Sequence, residues 1–177
     1  MKVMHFVCRV CAIITATGII MYLFTGSVTA EYQGWGTDNY AVFYYTPSYN
    51  SVWSDPLTIA RSEWNNPFCG VLVGSTTSTT ESTLTVVNSS DSWYGLCIQE
   101  VASPFMFSIM LNSRTIAADA ITFSSFVRSV VVHELGHVFW LKDNPNTSRQ
   151  SIMKGSRNRN TMVSEQAYDR EDVDAIF

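Results

Sequence analysis

The chain has 177 residues and a formal net charge of −4, which bounds it to one domain, or to one domain with an export segment. Without Lys2 and Arg9, the only charges among the first 30 residues, nine basic and fifteen acidic residues remain, a net charge of −6. That balance excludes a nucleic-acid partner, because phosphate binding needs a basic footprint.

Residues 1–30 read as a secretory signal peptide. A basic start is followed by an almost wholly apolar run at 10–24 and by small residues, Gly26-Ser27-Val28-Thr29-Ala30, that fit cleavage after Ala30. The apolar run of 15 residues falls short of the ~20 that span a bilayer. Cys8 and Cys11 leave with this segment, and no lipoprotein-type run precedes them. The expectation is a secreted protein of residues 31–177, with no stable membrane association after cleavage. Its two cysteines, Cys69 and Cys97, form an even pair, which in an oxidising compartment predicts a disulfide.

Along residues 31–177, the aromatic and β-branched stretch 40–45 reads as a first strand. Asp55-Pro56 then looks like a cap and first position of a helix running to about Trp64. Residues 71–73 read as a short strand, and the Ser/Thr run 75–83 as an exposed loop. Residues 84–87 and 93–98 look like a strand pair around a polar turn at 88–92, and 105–112 like another strand. A long apolar helix spans 121–141, with Ser124 or Ser125 as cap. Residues 144–161 are irregular and basic, and a short helix at 169–177 closes the chain. The order predicts an α+β single domain: a mixed, mostly N-terminal sheet, a long central helix and a small irregular C-terminal part ending in a helix.

The central helix carries His133-Glu134-Leu135-Gly136-His137. Histidines four apart lie one above the other on one helix face, so both imidazoles reach a single cation. Glu134 is rotated by about 100° from His133 and stands beside the metal, where it can hold a water. H-E-x-x-H is therefore two zinc ligands and a general base. Zinc acidifies its water to a pKa of roughly 7, and the glutamate takes the proton. Residues 31–177 contain no other histidine, so a third ligand has to be a carboxylate. Asp143 lies six residues beyond His137 and Glu165 lies 28 beyond. The two point to different peptidase classes.

The sequence His133-Glu134-Leu135-Gly136-His137-Val138-Phe139-Trp140-Leu141-Lys142-Asp143 resembles the long motif H-E-x-x-H-x-x-G-x-x-H of the metzincin metallopeptidases, whose last ligand is aspartate in snapalysin-like members. Ser151-Ile152-Met153 is similar to their methionine turn, Ile109-Met110-Leu111-Asn112 to the edge strand on which matrixin-like enzymes align substrate, and the tail from Tyr168 to their closing helix. The resemblance covers residues 40–177 and implies a zincin-like fold. It implies one catalytic Zn2+ on His133, His137 and Asp143, Glu134 as base and acid, and Met153 as a support. It further implies a peptide or protein substrate and a monomer. One departure stands out: the family glycine, which often turns the chain at positive φ, is Trp140 here, where a side chain is strained. The surface carboxylates are scattered and no calcium loop stands out, so Ca2+ stays open without support from the sequence. Two alternatives are a gluzincin-like peptidase with Glu165 as ligand, and an inactive zinc- or protein-binding module of the same fold. The basic residues Arg149, Lys154, Arg157 and Arg159 suggest either attraction of acidic substrate segments or a solvated loop.

Overall fold

A computed structural model describes residues 32–65, 69–100 and 105–177. The export segment expected at 1–30 lies outside the described residues. Strand β1 (Ala41–Tyr45) forms where apolar residues alternate, with Val42 and Tyr44 buried and Phe43 on the opposite, more open face. Helix α1 (Ser51–Glu63) starts earlier than expected, after Asn50 in extended conformation, so Asp55-Pro56 lies inside it. Leu57 and Ala60 face the core. Trp64 ends the helix fully buried, and its Nε1 donates to Val132 O at 2.9 Å.

Four more strands follow: β2 (Leu72–Thr76), β3 (Ser82–Val87), β4 (Gly95–Gln99) and β5 (Phe107–Asn112). The expected loop at 75–83 is therefore shorter, with its ends drawn into β2 and β3. The sheet order is β2-β1-β3-β5-β4. β1 runs parallel to β2 and β3, β3 parallel to β5, and β4 antiparallel to β5. Two expectations are corrected. Residues 84–87 and 93–98 do not pair with each other, because β5 lies between them. Residues 109–112 are interior, and β4 is the edge. The alternation of a strand shows which face it buries but not its neighbour. The neighbour is set by side chains that pin the 88–94 connection across the end of β5. Asn112 Nδ2 donates to Asp91 O at 3.0 Å, and Arg114 donates to the carbonyls of Ser89, Ser90 and Asp91.

Helices α2 (Ser113–Asp119), α3 (Phe123–Val138) and α4 (Ala167–Asp174) complete the described elements. α3 starts after Thr122 rather than after a serine cap, and it packs against α1, β4 and β5. Every residue from Ser129 to Val138 is buried. A helix enclosed on all sides is the central element of its domain, and any polar group on it has to find a partner there.

The expected disulfide is also corrected. Cys69 leads into β2 and Cys97 lies in β4, and these strands are the two opposite edges of the sheet. Four inter-strand gaps of ~4.8 Å put them roughly 19 Å apart, whereas a disulfide needs Cα atoms within ~7 Å. Both are buried free thiols. Burial pushes Cys69 up to about 12 and Cys97 well above its usual range, so neither is a reactive thiolate.

Candidate metal centre

The two histidines of α3 lie one turn apart, their ring centroids 4.9 Å from each other. Each imidazole uses Nδ1 on a backbone carbonyl. His133 Nδ1 is 3.0 Å from Ile152 O, and His137 Nδ1 is 2.9 Å from Leu141 O. A neutral imidazole has one N–H, and a carbonyl can only accept, so the proton sits on Nδ1 in both rings. The two Nε2 atoms are then the lone-pair positions of the rings in their neutral form. They converge with the Asp143 carboxylate: His133 Nε2 is 3.1 Å from Oδ1 and His137 Nε2 is 3.6 Å from Oδ2.

That arrangement is a test of fit for a cation. Burial, only partly offset by Asp143, pushes His133 down to about 4, so the ring is neutral at pH 7. A lone pair facing a carboxylate oxygen at 3.1 Å is repulsive unless a positive charge stands between them. Three such atoms, all within 4.8 Å of one another, could hold a metal ion, and their N, N and O donors suit a borderline cation. Glu165 is not brought to this group. It is buried before α4 with Oε1 3.5 Å from Arg170 Nη1, which leaves Asp143 as the carboxylate.

Asp143 reaches the histidines because α3 stops in time. Leu141 N donates to Gly136 O at 3.0 Å and Trp140 N donates to His137 O at 3.1 Å. This pair of bonds is a Schellman cap, which places a left-handed residue just past the helix. That residue is Trp140, at φ 69°. The tryptophan takes the conformation a glycine would take, and its side chain offsets the strain. The indole Nε1 donates to Thr37 O at 2.8 Å, and the ring lies so close to Gly36 that any Cβ there would meet it at 2.5 Å. Residues 32–37 form a strap over the end of α3. Gln33 Nε2 donates to His137 O, Thr37 N to Val138 O and Gln33 N to Trp140 O. The open carbonyls of the helix end are thereby satisfied.

The turn after Asp143 is held from the far end of the chain. Asp169 of α4 accepts from Ser151 Oγ at 2.6 Å and from Ile152 N at 2.8 Å. Ile152 O is the acceptor that orients His133. Met153 is buried beneath, its Sδ 2.5 Å from where a Cβ on Gly136 would stand. Such outer partners fix the tautomer and aim of a metal-binding histidine.

Glu134 is buried beside the edge strand, and the Cys97 N–H bonds to its carboxylate. Burial, then the charge of Asp143, raises it to about 8, against the opposing pull of Arg157 and Arg159. Gly95 makes this placement feasible, because a Cβ there would collide with Glu134 Oε1. A cavity of about 240 Å³ opens above, bounded by the two histidines, Glu134, Asp143, β4 and the strap residues Gln33 and Trp35.

The basic residues of the C-terminal part are engaged with the protein itself. Arg157 is buried and bonds to Ser129 and to Lys154 O, while Lys154 Nζ bonds to the carbonyls of Thr147 and Arg149. Arg149 pairs with Glu171, and Arg159 lies over the Tyr94 ring at 4.8 Å. Sequence patterning does not single out the strap, Gly95 or Asp169. The strap joins the site across more than 100 residues (Gln33 to His137), which no local pattern signals.

No known protein family matches the sequence, and no curated protein matches it. The fold is nevertheless shared with solved structures. One is a chain of the GM1-bound form of the ECX AB5 holotoxin, with a TM-score of 0.57 and 16% identity over 83% of this chain and 86% of that one. Another is myroilysin, with a TM-score of 0.53 and 13% identity over 80% of this chain and 94% of that one. At such identity the likeness is one of fold.

Proposed function

We propose that the chain is a secreted zinc-dependent endopeptidase of the metzincin type, with Zn2+ on His133, His137 and Asp143. The observation that carries this reading is the convergence of three lone-pair donors next to a buried carboxylate, under a strand edge with no neighbouring strand among the described residues. The fold shared with myroilysin is compatible with it. A zinc ion held by these residues supplies Lewis acidity toward a water molecule and toward the peptide carbonyl.

The chain's own residues do the rest. Glu134 stands beside the metal position, where its carboxylate can take a proton from water and return it to the leaving amine. Burial raises its pKa to about 8 in the metal-free chain, and a bound cation would draw it back toward the ionised form that acts as the base. The Cys97 N–H holds that carboxylate in place. The outer edge of β4, antiparallel to β5, offers backbone donors and acceptors to an extended peptide, which would add to the sheet as a further strand. Secretion rests on the pattern of residues 1–30.

The test uses the processed chain. Expected are about one zinc per molecule, casein hydrolysis that a chelator abolishes, zinc retained but hydrolysis lost in Glu134→Gln, and zinc lost in Asp143→Ala. Zinc binding with no hydrolysis of any protein substrate would instead establish the inactive binding module. Full zinc content in Asp143→Ala would remove Asp143 from the site.

A further inference from the structure

We infer that a second cavity beside the metal centre, walled by Trp35, Phe105 and Trp140, is a subsite that takes a large aromatic side chain of the substrate; this rests on the peptidase reading. The cavity has a volume of about 280 Å³, with Gln99 and Asp38 as its polar rim. It shares Trp35 with the metal pocket, so the two spaces adjoin.

Three observations point the same way. Trp35 is held in a fixed orientation, stacked on Phe107 with ring centroids 6.3 Å apart and lying 6.2 Å from the His137 ring. Trp140 keeps its indole at a backbone position where glycine would be free of strain, and that ring forms part of the cavity wall. Strain retained next to a site is a pointer to function. Phe105 is 56% exposed, an aromatic ring left open at the cavity. Flat apolar walls of this kind favour aromatic side chains through offset and edge contacts as well as through burial.

The position along the substrate follows from the strand. Gly95, Leu96 and Cys97 border the metal pocket, and Gln99 borders the second cavity. From Cys97 to Gln99 a strand advances by roughly 7 Å at ~3.3 Å per residue. A peptide paired to β4 therefore brings a side chain two or three residues from the cleaved bond to the aromatic walls.

The test varies each of three positions on either side of the cleaved bond among Ala, Leu, Phe, Trp, Lys and Glu. Cleavage by the zinc-loaded protein and binding to its Glu134→Gln variant, followed by calorimetry, are measured in parallel. Expected is one position at which Phe or Trp exceeds Ala by about tenfold in both assays, with that ratio falling to about twofold in Phe105→Ala. An aromatic preference untouched by Phe105→Ala, or no aromatic preference at any position, overturns the subsite. Cleavage without such a preference overturns the subsite and leaves the peptidase reading standing. A Phe105-dependent preference in binding with no cleavage by the wild type supports the subsite and overturns the peptidase reading.

Discussion

At the scale of single residues, the site depends on one backbone angle. Trp140 at φ 69° ends α3 and lets Asp143 fold back to the histidines. A Cβ in the left-handed region costs about 1–2 kcal/mol, which is offset here by the Nε1 bond to Thr37 O and by the ring packed on Gly36. This makes an unusual prediction about two truncations. Trp140→Ala loses the ring and keeps the strain, whereas Trp140→Gly loses both. Both variants should be less stable than wild type, and the glycine variant should exceed the alanine variant by about 1 kcal/mol in urea unfolding, opposite to the order in a helix interior. Alanine equal to or better than glycine would show that residue 140 does not hold the left-handed turn. Gly95 supports a second test at this scale. Gly95→Ala pushes a methyl against Glu134 Oε1 and Val130 Cγ1, and none of its nearest contacts is to His133, His137 or Asp143, the proposed ligands. Hydrolysis should fall by about 100-fold with zinc content unchanged, the usual cost of misplacing a reacting group by about 1 Å.

At the scale of elements, the site is an assembly of α3, β4, α4 and the strap, and these differ in how visible they were. α3 was legible because both histidines and the base lie within one helical turn, where spacing alone fixes geometry. Asp143 was legible as a spacing, but its access depended on how α3 would end. β4 was legible as a strand but not as the edge, because alternation carries no information about neighbours. Asp169 was not legible at all. Its pattern is that of an acid in the first turn of a helix, reaching back to Gln166 N at 2.8 Å. Its contact with Ile152, and through Ile152 O with His133, exists only in the folded chain. The role of α4 can be measured. Asp169→Ala should lower zinc affinity by about 10- to 100-fold, the range for loss of an outer partner, while a competitive chelator titration of Asp172→Asn should match wild type. Equal affinities in all three proteins would mean that the turn holds His133 without help from α4.

At the scale of the whole molecule, the same packing that aims the site leaves an acid poorly solvated. Asp172 is 2% exposed, and its Oδ1 has no partner among the described residues. Burial first, then the charges of Asp169 and Glu171, raise its pKa from 3.8 to about 6, against the pull of Tyr168 and Arg149. The folded state therefore binds more protons than the unfolded chain between about pH 4 and pH 6. Stability falls as pH rises through that window and loses nothing more to this group above it. Asp172→Asn keeps the shape and removes the ionisation. It should match wild type near pH 4 and be more stable at pH 7, by on the order of 1 kcal/mol once solvent screening is allowed for. Tyr32 is joined to α4 through a bond from its hydroxyl to Asp172 O, a backbone contact that the substitution leaves in place. Urea unfolding at pH 4, 5, 6 and 7 reads the difference directly. A gain that is the same at every pH would trace the effect to packing, and a loss at pH 7 would mean that Tyr168 and Arg149 stabilise the Asp172 carboxylate by more than its burial costs.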